Sequence, residues 1–366
     1  MKRLVVCLAV IVSVSGVVLT SAPSSSAATT ADLVGQVDPA QYEAYQLAVE
    51  SMGLGLYDVS YNQGYRDRDG WAGDGSLGNQ EARLYLTDQF TTFGLNVTIQ
   101  GSYLNVVGEL PGTASPNDVV IVCGHYDHIG GSLGNERPGG DDNASGTAGV
   151  LEAARVLSQY QFESTIRFIG FNAEEDGLWG SKDYVNNVVA PGSENVLGVI
   201  NLDMILRPGS DKAPSEPLDL DLLTRNTTAC TDWADTFITA AGTYVPSLSI
   251  DSLHAESSAY GSDHAPFANA GYPAFLAIEN TASEIWGGAN EYYHGPEDAS
   301  DRAANDPGSL SGVTYDYDFA TDVVAATVAT VSQTATLVPE PGTLVMLLAG
   351  VAGLAVLGWR RQHRLG

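Results

Sequence analysis

The sequence predicts an α/β fold, a mixed and mainly parallel central sheet with helices on both faces. Three observations carry this expectation. Short apolar runs rich in β-branched and aromatic residues alternate with longer helical stripes. The run 119–123 is uniformly apolar and bounded by turn residues, as a strand buried on both faces should be. A chain of 366 residues with 44% apolar content is also large enough for one sizeable core.

From Tyr42 to Tyr65 the pattern is irregular and partly helical. Residues 79–93 read as a helix closed by Gly94. Strands are expected at 95–100 and 104–110, the second ended by Pro111-Gly112. After the buried strand 119–123 come a helix at 144–159, a strand at 165–171, a helix at about 179–188 and a strand at 196–202. A helix around 231–241, a strand at 274–278 and a last helix around 319–333 complete the pattern. No internal repeat and no long low-complexity linker interrupts it, so one catalytic-sized domain with loop insertions is expected over residues 29–337.

The ends read differently. Met1-Lys2-Arg3, an apolar run from Leu4 to Leu19 and the small residues of SAPSSSAA form an export signal, with cleavage near Ala27 or Ala28. A retained anchor is the alternative. The segment 1–28 is therefore assigned as a signal peptide. At the other end, Val338-Pro339-Glu340-Pro341 precedes an apolar stretch, 343–359, and then Arg360-Arg361. The stretch is slightly short of the ~20 residues of a typical span, and the arginines place its end on the cytoplasmic side. Residues 338–366 resemble the PEP-CTERM sorting signal. The resemblance implies removal of the tail by a membrane protease of the exosortase type. An ordinary membrane anchor is the alternative. Either way the body is expected outside the membrane, extracellular or at the cell surface.

The net charge is −28, and the body is more acidic still. Five of the 16 basic residues, Lys2, Arg3, Arg360, Arg361 and Arg364, lie in the tails against one acid, Glu340. Such a body is a poor partner for nucleic acid or anionic lipid. Cys123, inside an apolar strand, is expected as a buried thiol.

In α/β sheets, ligand sites collect beyond the carboxyl ends of strands. Five segments place metal-type donors there. GHYDH gives His125 and Asp127, RPGGDDNASG gives Asp142, NAEEDGLWGS gives Glu174 and Glu175, NLDM gives Asp203, and YYHGPED gives His294. Each alone has an ordinary reading: a structural histidine, a helix N-cap, a solvated acid pair, an exposed loop residue. Together they would repel one another unless cations neutralised them. Imidazole nitrogen with carboxylate oxygen suits zinc, and a carboxylate can bridge two metals.

The ordered set NVVGELPG, GHYDHIG, RPGGDDNASGTAGVLEAARVL, NAEEDGLWGS, NLDMI, SDHAPFANAGYPA and HGPED resembles the M28 family of zinc peptidases, bacterial leucyl-aminopeptidase type, over about residues 76–330. The resemblance implies the zinc-dependent exopeptidase (phosphorylase/hydrolase-like) fold and two Zn2+ ions. By the same resemblance His125 and Asp203 would hold one ion, Glu175 and His294 the other, and Asp142 would bridge both. Glu174 would be the general base, Asp127 would orient His125 from behind, and Asp263 would be structural or support the ligands. Tyr260 would be the nearest candidate to assist the oxyanion. His128 and His254 are left with surface or packing roles.

The expected activity is hydrolysis of N-terminal residues from peptides with a free N-terminus. A carboxypeptidase-type hydrolase is the main alternative. It needs a cation for the terminal carboxylate, and Arg137, Lys182 and Arg207 are the candidates. A non-catalytic surface-binding protein on a peptidase fold would show a broken ligand set, which is not seen. A calcium-binding adhesin would prefer all-oxygen sites, against His125 and His294.

Overall fold

The structure, a computed structural model, describes residues 28–70, 74–209, 218–251, 261–280, 288–305 and 314–339. The apolar run 4–19, His254, Tyr260 and the apolar stretch 343–359 lie outside these residues.

Two capped helices lead in. In α1 (Thr30–Val34), Thr29 and Asp32 cap each other reciprocally, and α2 (Pro39–Glu50) starts at Asp38 with proline in its first turn. The regular helix α2 falls largely in a stretch whose sequence reads as irregular. The reason is its polar buried residues. Gln46 donates to the Gly140 carbonyl at 2.9 Å, and Glu50 accepts from the Ser300 backbone, so both are buried on a face that hydropathy would place in water.

There follow α3 (Leu77–Thr92), β1 (Asn96–Gln100), β2 (Asn105–Leu110), β3 (Ser115–His125), α4 (Ala144–Leu157), β4 (Ser164–Phe171), α5 (Trp179–Tyr184) with a π turn at Val185–Val189, and β5 (Asn195–Leu202). The chain continues through β6 (Leu220–Thr224), α6 (Thr228–Tyr244), β7 (Ile250–Asp251), α7 (His264–Asn269), β8 (Ala274–Ile278) and α8 (Tyr317–Thr334). The sequence pattern does not announce β6, β7 or α7. β6 is too short for periodicity and carries Asp221 among its leucines. It gains its strand geometry by pairing antiparallel with β8.

The strands form one eight-stranded sheet in the order β1-β2-β4-β3-β5-β8-β6-β7. The four central strands, β4, β3, β5 and β8, run parallel, and β2 and β6 flank them antiparallel. Helices cover both faces. Alternate residues of β3, Val119, Ile121 and Cys123, pack with Phe171, Tyr184 and Phe267 from the α5 and α7 side. Against the opposite face lies α4, buried along nearly its whole length and packed on α2 and α8. Cys123 and Cys230 are both buried thiols. Among the described residues no helix is long and apolar enough to cross a membrane.

The start of α4 fixes the strand ends relative to each other. Asn143 caps the helix by accepting from Gly146 N at 2.7 Å and donates to the Leu202 carbonyl, the last residue of β5, at 3.0 Å. A Cβ on Gly146 would come within 2.1 Å of that same carbonyl, so the approach requires glycine. Thr147 Oγ1 donates to the carbonyl of His125, the last residue of β3, at 2.6 Å. One helical turn thus ties β3 to β5.

Candidate metal centre

The parallel strands end side by side, and the predicted donors project from those ends. His125 closes β3, Asp142 precedes α4, Glu174 and Glu175 follow β4, Asp203 follows β5, and His294 lies beyond β8. All five predicted metal donors line one cleft of ≈ 440 Å³ together with Glu174. Asp142 is the hinge of the arrangement. Its Oδ1 lies 3.4 Å from His125 Nε2 and its Oδ2 lies 3.1 Å from His294 Nε2. Asp203 Oδ1 is also 3.4 Å from His125 Nε2, and Glu175 Oε2 is 3.0 Å from His294 Nε2. Donor atoms of His125, Asp142 and Asp203 gather within 4.8 Å of one another, as do those of His128, Asp142 and Glu175.

The supports are as ordered as the donors. Asp127 is fully buried. Its Oδ1 lies 3.5 Å from His125 Nδ1, while its two oxygens accept the backbone N–H groups of Glu174 and Glu175 at 3.2 and 3.3 Å. It therefore ties the histidine to the glutamate pair. Asp203 Oδ2 accepts from Ser262 Oγ at 2.6 Å, and Ser262 in turn accepts from Asn201 Nδ2. His294 sits in the left-handed region, φ 56°, where its carbonyl accepts from the Arg137 guanidinium and its ring stacks on Tyr293. Ala173 and Met204, beside Glu174 and Asp203, are also left-handed at φ 55° and 52°. Each such residue stores roughly 1–2 kcal/mol of strain, held in place by these surrounding bonds.

The electrostatics follow from burial and crowding. Burial pushes the Glu174 carboxyl well above its usual range, and Glu175, Asp203 and Asp263 add to the rise against His125. Burial also raises Asp203. Burial opposes ionisation of Asp142, but His125 and His294 outweigh it and hold that carboxyl well below the carboxylate range. His294 is raised to about 10 by Asp142 and Glu175, in spite of burial. Asp263, fully buried, is raised to about 7, chiefly by burial and against the pull of His125.

Two buried atoms test whether a cation fits. Asp203 Oδ1 and His294 Nε2 both face the cleft's other donors yet make no hydrogen bond. Imidazole and carboxylate donors crowded to 3.0–3.4 Å of one another, two of their atoms without a well-formed hydrogen bond, fit zinc.

Two residues stand out beyond the sequence reading. Asp298, in HGPED, accepts the backbone N–H of Asp141 at 3.0 Å and of Asp142 at 3.2 Å, and is itself held by the Tyr315 hydroxyl at 2.6 Å. His128 is not at the surface. It is 1% exposed, with Nδ1 3.0 Å from Glu175 Oε1. Its place in GHYDH was the available signal. Of the candidate carboxylate-binding cations, Lys182 lines the cleft, Arg137 holds the His294 backbone, and Arg207 is buried against Glu279 and the Ala304 carbonyl.

Parts of the chain are similar to known proteins. Peptidase family M28 matches residues 105–311, and the PEP-CTERM protein-sorting motif matches residues 337–362. Aminopeptidase YwaD of Bacillus subtilis is 32% identical over 202 residues, 53% of this chain and 39% of that protein. A probable zinc metalloprotease of Pyrenophora teres f. teres is 34% identical over 143 residues, 38% of this chain and 29% of that protein. This chain thus spans less than half the length of the curated relatives it matches. The LapA aminopeptidase of Legionella pneumophila shares the fold at TM-score 0.63 and 19% identity, over 84% of this chain and 74% of that one.

Proposed function

The chain belongs to peptidase family M28, and on that premise we propose that it is an exported di-zinc exopeptidase that removes N-terminal residues from peptides. The observation that carries the reading is Asp142, whose two oxygens face two different histidines, His125 and His294. His125, Asp203 and Asp142 would hold one zinc ion, and Glu175, His294 and Asp142 the other. When bound, zinc supplies Lewis acidity that acidifies water and draws charge from the scissile carbonyl.

The chain's own residues supply the rest. Glu174 Oε2 lies 4.0 Å from His125 Nε2, inside the same cleft, and is not engaged as one of the five donors. Its raised pKa suits it to take a proton from the attacking water and return it to the leaving amine. Asp127 holds Glu174 and Glu175 by their backbones, so the two side chains diverge from one anchored turn. The acid-rich cleft favours a substrate's free α-amine. Its other wall is apolar, built from Met204, Leu223, Leu276 and Ile278 with Tyr293. That wall suits an apolar side chain on the residue removed. The PEP-CTERM motif supports delivery toward the cell surface with processing by an exosortase-type enzyme.

A panel of aminoacyl-4-nitroanilides with N-blocked controls tests this reading. Free substrates should be hydrolysed and blocked ones not, and a chelator should stop the reaction. Glu174→Gln should lower kcat by ~10²–10⁴-fold while zinc content stays as in the wild type. Equal turnover of blocked substrates would refute the exopeptidase assignment.

A further inference from the structure

We propose that His128 is a positioning residue that fixes which oxygen of Glu175 is offered to the metal beside His294. The proposal rests on the di-zinc reading above and assigns a role to a histidine that reading leaves unused.

The two oxygens of Glu175 have different neighbours. Oε2 lies 3.0 Å from His294 Nε2, within the donor cluster. Oε1 lies 3.0 Å from His128 Nδ1, on a histidine that does not line the cleft of the five donors, although its donor atom comes within 4.8 Å of those of Asp142 and Glu175. An ionised carboxylate only accepts, so Nδ1 must carry the proton, and the bond is charge-assisted. The bond is also sheltered, because both side chains are more than nine-tenths buried. The terminal torsion of a glutamate is broad and two-fold, so one oxygen bound alone would not fix the carboxylate plane. Glu175 also lines a second recess, of ≈ 550 Å³, with His128, Asp69 and Asp176. Without the His128 bond its carboxylate could turn toward that recess.

His128 is itself held in place. Its backbone N–H donates to the Arg68 carbonyl at 3.2 Å. Its ring meets the ring of His294 edge-on, with centroids 5.7 Å apart. Packing alone would explain the ring contact. It does not explain why Nδ1 is directed at Oε1 of Glu175 while His294 pairs with Oε2.

Substitutions separate the two roles. In asparagine the amide nitrogen is bonded to Cγ, as Nδ1 is in histidine, so His128→Asn keeps the donor. Glutamine places its nitrogen one atom further out, and leucine has none. Zinc affinity is read on the full chain by competition with a chromophoric chelator, which resolves the more weakly held ion. Wild type and His128→Asn should take up two ions with similar affinities. His128→Gln and His128→Leu should bind the second ion ~10–100-fold more weakly, with the first unchanged. Their activity should recover as free zinc is raised. If His128→Leu fails to fold, His128→Gln against His128→Asn makes the same comparison. Melting of the metal-free variants checks that the fold is intact. Second-ion affinity unchanged in His128→Gln would overturn the proposal, as would equal weakening in His128→Asn. A wild type that takes up only one ion would instead refute the di-zinc reading, and the proposal with it.

Discussion

Arg167 on β4 and Asp142 at the head of α4 each anchor a cluster of carboxylates, partly exposed at Arg167 and buried at Asp142, and the two clusters are neutralised differently. Arg167 is bonded to Glu109 at 2.8 Å and to Glu194 at 2.6 and 2.7 Å, and also donates to the Tyr184 hydroxyl. One guanidinium serves two acids, with no unpartnered side-chain atom in the group. At Asp142 the chain places Glu174, Glu175 and Asp203 beside two imidazoles and leaves Asp203 Oδ1 and His294 Nε2 without hydrogen bonds. Glu109 and Glu194 are thus neutralised by a fixed guanidinium, whereas the acids around Asp142 have two imidazoles as their nearest cationic neighbours. Unsatisfied buried charge of that kind opposes folding and is retained only where function needs it.

Several experiments would break or sharpen the contrast. The largest effect is expected for Asp142→Asn. Zinc content should fall below one ion per chain, measured by elemental analysis, and activity should drop on the order of 10³-fold or more. Retained zinc at wild-type level would refute the sharing of Asp142. Next comes chelation of the wild type. A ligand bound at about 100 times its Kd adds ~2.7 kcal/mol, so its removal from a body of this size should lower Tm by roughly 4 °C. The Asp142→Asn variant should show no such shift in a thermal scan.

Arg167→Met should lower stability by about 1–3 kcal/mol in a urea titration, below the full figure for a buried pair because Glu109 and Glu194 are partly exposed. The chelator shift should persist unchanged in that variant. The smallest effect is a difference of sign. In metal-free protein Glu194→Gln should destabilise by roughly 0.5–1 kcal/mol. Glu174→Gln should leave metal-free protein at least as stable, since it replaces a carboxyl whose ionisation burial and the neighbouring acids oppose with a neutral amide of the same shape. Destabilisation by both would remove the distinction between the clusters.

Much of this was legible in the chain. Alternating apolar runs and helical stripes marked the four parallel strands, because a buried strand must be apolar on both faces. The donors stood out because several strand-end segments each carry one, and together they would repel one another without a cation. Other parts were hidden for physical reasons. α2 reads only as part of an irregular, partly helical stretch because Gln46 and Glu50 are buried through partners more than 90 residues away. β6 has strand geometry through its pairing with β8. Asp298 carries no signal in the sequence, because its role lies in accepting two backbone N–H groups of the Asp141-Asp142 turn more than 150 residues away. Seen alone, His128 was an ordinary histidine, since its meaning depends on an oxygen 47 positions along the chain.

By itself the sequence determined where the strands stop and which chemical groups stand at their ends, since hydrophobic periodicity and residue type are local properties. The tertiary structure alone decided which atoms meet: that the oxygens of Asp142 divide between His125 and His294, and those of Glu175 between His294 and His128. Such choices depend on side-chain torsions and on strand register across the sheet, and no stretch of chain encodes them before distant segments pack together.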